Sequence, residues 1–263
     1  MKIAFISRSS EKDKLSEDLE KLLREEVAKV TGHDVRAYIT ARFEKEYYID
    51  SLQVKIIKPE DDPISPVSIN SVLSYIKTNT AEYTPDTFLI CSKEVGLEKD
   101  NIETLIEEID SNPWLLAVGY KLKIPDNEKL DNELQGYYAN KKLIAYRVPW
   151  NTCAIWKYRL FDKYVEKFDE ITLGKYPFND ITVTIDGVSK TTQHKGMEDG
   201  LAIAQAVSRS KDIRFKLLKE PLTWTVNKTE EHRQKLARKE YVMRNFMAVR
   251  NYSVEDLGAA EVK

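Results

Sequence analysis

The sequence predicts an α/β fold, a single domain with a mostly parallel central sheet flanked by helices. Short apolar runs alternate with amphipathic stretches through residues 1–120. The runs at residues 3–6, 87–90 and 115–119 carry no charge, which is typical of strands buried on both faces of a sheet. This alternation favours parallel strands connected by helices that cover the sheet.

The elements of the first half follow from hydrophobic spacing. The apolar side chains of the first helix recur every three or four residues between charged ones, and a loop with three prolines in eight residues covers 59–66. The predicted strands are residues 3–6, 35–39, 54–57, 87–90 and 115–119, and the predicted helices lie within residues 15–30, 69–76 and 102–109.

The second half is less regular. Residues 124–142 are polar and have no clear period. Strands are predicted at residues 143–146, 153–156, 181–185, 213–218 and 222–226, and helices at residues 160–168, directly after 198–199 and at 230–250. The residues after 250 are expected to form a loose tail.

Composition excludes several classes of protein. The net charge of −2 provides no global field that would draw the chain to nucleic acid, so we expect no nucleic-acid partner. Two cysteines give no disulfide framework and fit a reducing compartment. No apolar stretch approaches the roughly 20 residues that span a bilayer, and the N-terminal apolar run is too short for a signal peptide. We therefore expect a cytoplasmic protein.

Polar residues end the run at residues 87–90. Ser92, Lys93 and Glu94 follow it directly. Ligands of open α/β sheets bind beyond the carboxyl ends of the strands, and a carboxylate there suits a divalent cation that bridges a diphosphate. The alternative is that Glu94 only begins a surface loop.

A second acidic pair precedes a helical pattern. Glu198 and Asp199 lie between Gly196 and Gly200, which allow close approach of the backbone to a ligand. A carboxylate in a sugar site can act as general base on a hydroxyl group. Acidic residues are also favoured in the first turn of any helix, because they interact with the helix dipole.

The remaining candidates are cationic or aromatic. His232 and Arg233 open a basic C-terminal helical pattern that could neutralise a diphosphate or could form a solvated face. Trp150, next to Asn151, could stack on a sugar or a base. The simpler interpretation of Trp150, and also of Trp224, is a place in the core.

Four segments in order resemble the inverting glycosyltransferases with the GT-A fold, in the large family-two-like group. The first is the N-terminal βαβ pattern, and the second, residues 88–102, resembles the family's strand, Asp-x-Asp motif and following helix start. The third is residues 151–156 with Phe168-Asp169-Glu170, and the fourth is residues 196–199, similar to the Glu-Asp motif that supplies the catalytic base. The resemblance covers residues 1 to about 250.

The resemblance implies transfer of a sugar from a nucleotide-diphosphate sugar, such as a UDP-sugar, to a glycan or other hydroxyl acceptor. It implies that residues 1–120 bind the nucleotide sugar and residues 121–250 bind the acceptor and carry catalysis, with 251–263 as the tail. The implied catalytic residues are Asp199 and Glu198; the nucleotide-sugar-binding residues are Ser7, Arg8, Asn70, Ser92, Lys93, Glu94, Trp150, Asn151 and Arg233; and the ligands of a divalent cation, Mn²⁺ or Mg²⁺, are Glu94 and His232.

One departure from the family pattern leaves alternatives open. Where the family has Asp-x-Asp, this chain has Ser92-Lys93-Glu94. Glu94 can still hold a metal with the diphosphate and His232, or Lys93 and the C-terminal basic residues can replace the metal's charge. The departure also permits a non-catalytic binding module. A sugar nucleotidyltransferase is the further alternative, although residues 7–10 lack the glycine-rich loop that such an enzyme normally has.

Overall fold

The computed structural model describes residues 1–60, 62–65, 68–123, 148–168, 181–185, 188–192 and 198–225. The strands are β1 (Lys2–Arg8), β2 (Asp34–Thr40), β3 (Lys45–Ile49), β4 (Leu52–Ile57), β5 (Thr87–Cys91), β6 (Leu115–Lys123), β7 (Cys153–Lys157), β8 (Ile181–Ile185), β9 (Val188–Thr192) and β10 (Arg214–Thr223). The helices are α1 (Glu17–Glu25), α2 (Ser68–Thr78), α3 (Lys99–Asp110), α4 (Tyr158–Tyr164) and α5 (Glu198–Arg209).

Within the described residues, eight strands form one sheet in the order β10-β6-β7-β5-β1-β2-β4-β3, and β8 and β9 form a separate pair. β1 runs parallel to β2 and β5, β2 runs parallel to β4, and β6 runs parallel to β10. Only β3 and β7 run antiparallel to their neighbours in this sheet. The predicted α/β class and mostly parallel sheet are confirmed.

Side-chain alternation along the buried strands builds a core on each face of the sheet. Ala4 and Ile6 of β1 pack in the cluster that includes the buried faces of α2, α4 and α5. Ile3 and Phe5 pack in the cluster that includes those of α1 and α3. Because successive strand residues point to opposite faces, a strand covered on both sides must be apolar throughout, as the uncharged runs predict.

The structure corrects several boundaries. β3, an edge strand, was not predicted, because its sequence Lys-Glu-Tyr-Tyr-Ile has charged and half-exposed positions. The strands predicted at residues 213–218 and 222–226 are one strand, β10, whose register with β6 shifts between Leu218 and Leu222. The first helix ends at Glu25 and is followed by a 3₁₀ turn at Val27–Lys29. The strand predicted at residues 143–146 and the helix at 230–250 lie outside the described residues.

Gly119 of β6 allows the chain before β7 to pack tightly on the sheet. A Cβ atom at this position would lie 2.7 Å from Pro149 Cβ and 3.0 Å from the Cys153 carbonyl oxygen. Such distances are shorter than normal van der Waals contact, so a larger residue would displace residues 148–151. This glycine therefore helps to position Trp150 and Asn151.

The carboxyl ends of β1 and β5 and the amino end of β7 meet at one edge of the sheet. β7 pairs antiparallel with β5, with Cys153 opposite Cys91, and the Ser92 N–H extends the pairing by donating to the Thr152 carbonyl oxygen at 2.9 Å. Residues that follow β5 and residues that precede β7 are therefore neighbours. In the described part of the chain, no helix combines the length and apolar character needed to cross a membrane.

Candidate active site

The turn after β5 presents one exposed carboxylate. The Val95 N–H donates to the Ser92 carbonyl oxygen at 3.1 Å, which closes a tight turn. The Ser92 hydroxyl donates to Glu94 Oε2, so two hard oxygen atoms lie side by side at the end of the strand. Lys93 Nζ lies 3.3 Å from the hydroxyl oxygen of Ser16, just before α1. The ammonium group thus contacts the residue that precedes α1.

The first turn of α5 presents two buried carboxylates. Glu198 and Asp199 are each only 6% exposed. Asp199 Oδ2 accepts the backbone N–H of Asn151 at 2.9 Å, and Oδ1 accepts the N–H of Gly200 at 2.7 Å. Hydrogen bonds to both oxygens fix the orientation of the Asp199 carboxylate before any ligand binds.

Residues 151–152 connect the two acidic stretches. The Thr152 carbonyl oxygen accepts from Ser92, and the N–H of Asn151 donates to Asp199. The carboxylate of α5 and the turn after β5 are thus bound to consecutive residues of one short segment. The two acidic stretches are more than a hundred residues apart in the sequence, and both lie at this edge of the sheet.

Asn151 is almost completely buried at this junction. Its side-chain Oδ1 accepts the indole N–H of Trp156 at 3.0 Å. Its Nδ2 group finds no hydrogen-bond partner among the residues that the structure describes, and only 2% of the residue is exposed. Asn151 thus holds Asp199 through its backbone N–H, while its buried Nδ2 group stays unpaired within the described residues.

Two tryptophan rings border the same edge. Trp150 and Trp224 pack edge to face, with ring centroids 6.0 Å apart and an interplanar angle of 84°. Trp224 follows β10 and forms a bridge with Val95, while the Thr225 N–H donates to the Glu94 carbonyl oxygen at 2.9 Å. Both rings are half-buried. Both rings pack against the core, as predicted, but neither is fully buried in it.

The end of β1 adds a second buried polar group. Ser7 is fully buried, and its hydroxyl has no hydrogen-bond partner within the described ranges. Arg8 Nη1 donates to the Ile64 carbonyl oxygen at 3.3 Å, and the Thr40 hydroxyl donates to that of Pro63 at 2.7 Å. The proline-rich loop is thereby tied to the carboxyl ends of β1 and β2.

Asn70 forms a long-range contact that the sequence did not reveal. Its Nδ2 donates to the Phe168 carbonyl oxygen at 2.8 Å, and its Oδ1 accepts the Phe168 N–H at 2.9 Å. This reciprocal pair ties the start of α2 to the end of the segment after α4. A direct contact of Asn70 with a nucleotide stays a prediction.

Solved structures resemble this arrangement across most of the chain. The mannosyltransferase PcManGT from Pyrobaculum calidifontis, solved with GDP-Man and Mn²⁺, is 12% identical at a TM-score of 0.57, with 98% of this chain and 68% of the other covered. S. aureus TarS is 15% identical at a TM-score of 0.53, over 91% of this chain and 43% of TarS. The glucosyl-3-phosphoglycerate synthase of Mycobacterium tuberculosis, solved with Mn²⁺ and UDP-glucose, is 10% identical at a TM-score of 0.52, over 94% and 78%.

This chain has a GT-A fold. A comparison with protein-family models finds no match, and neither does a sequence comparison with curated proteins. At 10% to 15% identity the likeness establishes the GT-A fold alone.

The sequence predicts a divalent cation at the turn after β5. Glu94 Oε2 and the Ser92 hydroxyl are hard oxygen donors, which suit Mg²⁺ or Mn²⁺. Among the described residues there is no group of three or more acidic, histidine or cysteine side chains that could hold an ion. His232, the other predicted ligand, and Arg233 lie outside the described residues.

Sequence reasoning missed Thr152 and Trp224 as parts of this GT-A edge. Thr152 contacts Ser92 through its backbone carbonyl oxygen. Every residue type has this atom, so the identity of residue 152 does not predict the contact. Trp224 was placed in the core because a lone aromatic residue near a strand end is most often buried there. Only the pairing of β10 with β6 reveals that it reaches the turn after β5.

Proposed function

We propose that this protein is a glycosyltransferase that transfers a sugar from a nucleotide-diphosphate sugar to an acceptor hydroxyl group, with inversion at the anomeric carbon. One observation carries the proposal: Asp199 is buried, oriented by two backbone N–H groups, and joined through residues 151–152 to the turn that carries Glu94. The GT-A fold supports it, since the structures with similar folds include a mannosyltransferase with GDP-Man and a synthase with UDP-glucose.

In this proposal Asp199 is the general base. Its carboxylate accepts the proton of the acceptor hydroxyl while the acceptor oxygen bonds to the anomeric carbon of the donor sugar. The bond from that carbon to the phosphate oxygen breaks, and its electron pair leaves with the nucleotide diphosphate. Glu198 completes the acidic pair beside it.

The donor is assigned to the ends of β1 and β5. Ser7 offers a buried hydroxyl there, and Arg8 a cation beside the loop at Ile64. Ser92, Lys93 and Glu94 form the adjacent turn. Asn70 and Arg233 complete the set that the resemblance assigns to the nucleotide sugar, together with Trp150 and Asn151.

The charge of the leaving diphosphate can be neutralised in two ways. A divalent cation held by Glu94 and Ser92, with His232 as the further predicted ligand, would neutralise it when bound. Alternatively, Lys93 and the C-terminal basic residues supply the positive charge.

A non-catalytic nucleotide-sugar or glycan binding module is the second candidate, and the Ser92-Lys93-Glu94 sequence favours it. A sugar nucleotidyltransferase is less favoured, since residues 7–10 contain no glycine. The cytoplasmic location and the division at about residue 120 stay predictions.

Calorimetric titration with UDP- and GDP-sugars, with and without Mn²⁺, tests the function. A glycosyltransferase binds one of these donors and slowly hydrolyses it or transfers its sugar. Binding without any turnover, in the presence of a panel of acceptors, supports the binding module. A chain that binds no nucleotide sugar under either condition contradicts the proposal.

A further inference from the structure

A cavity of about 290 Å³ lies between α2 and α4. Leu73, Ser74 and Lys77 line it from α2, and Phe161 and Asp162 line it from α4. In each helix the lining positions are within four residues of each other at helical spacing, so they lie on one side of that helix. The two helices thus lie next to each other on the sheet without filling the space between them. The volume of this space approaches the roughly 300–1,000 Å³ that is typical of ligand sites.

Contacts between the two helical segments frame both ends of the cavity. At one end, the Asn70 amide forms two hydrogen bonds with the Phe168 backbone, at 2.8 Å and 2.9 Å. At the other end, Lys77 Nζ lies 2.8 Å from Asp162 Oδ1. Asn70 and Lys77 are two turns of α2 apart, about 10 Å along the helix axis. The cavity is therefore an elongated slot, and these contacts hold its shape before any ligand binds.

The floor of the slot is apolar. Leu73 is 7% exposed and Phe161 is 1% exposed, and the half-buried ring of Tyr158 also lines the slot. Phe161 packs edge to face on Phe88, with ring centroids 5.1 Å apart, so the floor is continuous with the core. The slot has room for about ten water molecules at ~30 Å³ each. Replacing that water with an apolar chain is favourable, because the chain covers apolar surface.

The rim of the slot carries a positive charge that has no partner within the described residues. Lys77 pairs with Asp162, and Glu166 Oε1 lies 3.2 Å from Arg209 Nη1. Lys167 also lines the slot, and it forms no ion pair with any residue that the structure describes. A ligand with one negative charge is therefore electrostatically complementary to this rim.

We propose that the slot between α2 and α4 binds a straight-chain carboxylate of about eight to ten carbon atoms. The chain lies along the apolar floor, and the carboxylate contacts Lys167 near the end that Asn70 frames. The inference goes beyond the proposed function, since neither Glu94 nor Asp199 lines the slot. A bound acid and a bound nucleotide sugar therefore occupy separate sites.

Calorimetric titration of the full chain with decanoate tests this site. We expect one decanoate to bind per chain, and we expect decyltrimethylammonium, with the same chain length and the opposite charge, to bind less tightly. Shortening the acid to octanoate and then to hexanoate should weaken binding by up to about fourfold for each CH₂ group removed. UDP or GDP with Mn²⁺ should not displace the acid.

Two variants with matched controls locate the acid in the slot. Ser74→Trp places a large ring at the exposed rim and should weaken decanoate binding at least about tenfold, whereas Ser208→Trp, at an exposed serine of α5, should not. Lys167→Gln should weaken decanoate binding about two- to fivefold, because an exposed charge pair contributes little, and should leave decanol binding unchanged. Lys163→Gln, at an exposed lysine outside the slot, is its control.

Four results overturn the inference. They are no binding of decanoate, equal binding of decyltrimethylammonium, displacement by UDP or GDP with Mn²⁺, and unchanged decanoate binding in Ser74→Trp or Lys167→Gln. The chain-length series and the displacement need no variant, so they decide the question even if Ser74→Trp does not fold. Failure of the slot leaves the glycosyltransferase proposal intact, because that proposal is tested by nucleotide-sugar binding and turnover.

Discussion

Glu94 and Asp199 are carboxylates at the same edge of the sheet, but they are held in different ways. Glu94 is exposed, and its side chain contacts the Ser92 hydroxyl of its own turn. Asp199 is 6% exposed and accepts backbone N–H groups at both oxygens. A group whose orientation is fixed before the substrate arrives is suited to the reacting atoms, whereas an exposed group can adapt to an ion or a diphosphate. The difference supports the proposal that Asp199 is the catalytic base and that Glu94 takes part in donor binding.

The packing of Gly119 against Pro149 positions residues 148–151, which contact Asp199 rather than Glu94. In Gly119→Ala the new Cβ atom would lie 2.7 Å from Pro149 Cβ. Residues 148–151 must therefore shift. We expect the free energy of unfolding to fall by about 1–3 kcal/mol. Turnover should fall up to about 100-fold, because a shift of about 1 Å misplaces the base.

Chemical denaturation and a turnover assay check this prediction, and donor affinity serves as the internal control. The Glu94 turn is held by Thr152 and Thr225 rather than by Pro149. Donor affinity should therefore change less than turnover. A variant with unchanged turnover would show that residues 148–151 do not position the base.

Removing the contact between Asn70 and Phe168 tests whether the stability of the region around the site depends on this long-range contact. Asn70→Ala removes both hydrogen bonds to the Phe168 backbone and should lower the free energy of unfolding by about 2 kcal/mol. Asn79→Ala is the matched control, because Asn79 bonds only within the end of α2 and the residues next to it. Thermal unfolding of both variants measures the difference, and equal effects would contradict a special role of Asn70.

Glu94→Gln should affect binding rather than stability. Because Glu94 is exposed, the free energy of unfolding should change by no more than about 0.5 kcal/mol. Donor affinity in Mn²⁺ should fall about tenfold, since outer or inner ligands of a metal typically contribute a factor of 10–100. Calorimetry in Mn²⁺ and in a chelator measures this. If the variant and the natural chain bind the donor equally well in Mn²⁺, the charge of the diphosphate is neutralised by Lys93 and the C-terminal basic residues instead.

The cysteine pair beneath the site should show the smallest effect. Cys91 and Cys153 face each other across β5 and β7, and both are buried. A hydrogen bond with Cys153 and burial raise the pKa of the Cys91 thiol well above its ordinary value. The thiolate is the reactive form, so a thiol reagent at pH 8 should modify neither cysteine in the folded chain and both in denaturant. Rapid modification of the folded chain would show that the sheet opens at the site.

Much of the fold could be predicted because its signals are local. Uncharged runs mark the strands that are covered on both faces, as at β1 and β5, and spacing of three and four marks α2 and α3. The two acidic stretches could also be located, since both stand directly at the end or start of a strong element. Their closeness could be expected only through the resemblance.

The rest depends on pairings that no local pattern specifies. β7 lies antiparallel between β5 and β6, and its position decides that residues 151–152 lie between the two acidic stretches. Asn70 was predicted to face the nucleotide, and its bonds to Phe168 span 98 residues. The unsatisfied amide of Asn151 depends on Trp156, which the sequence identifies only as an apolar strand residue.

The central claim is that Asp199 is the catalytic base, and turnover by Asp199→Asn tests it most directly. The substitution keeps the shape and removes the ability to accept the acceptor's proton, so we predict a loss of about 100- to 10,000-fold in turnover with donor affinity retained. Asp212→Asn, in the exposed turn between α5 and β10, is the matched control and should turn over normally. Undiminished turnover by Asp199→Asn would contradict the account.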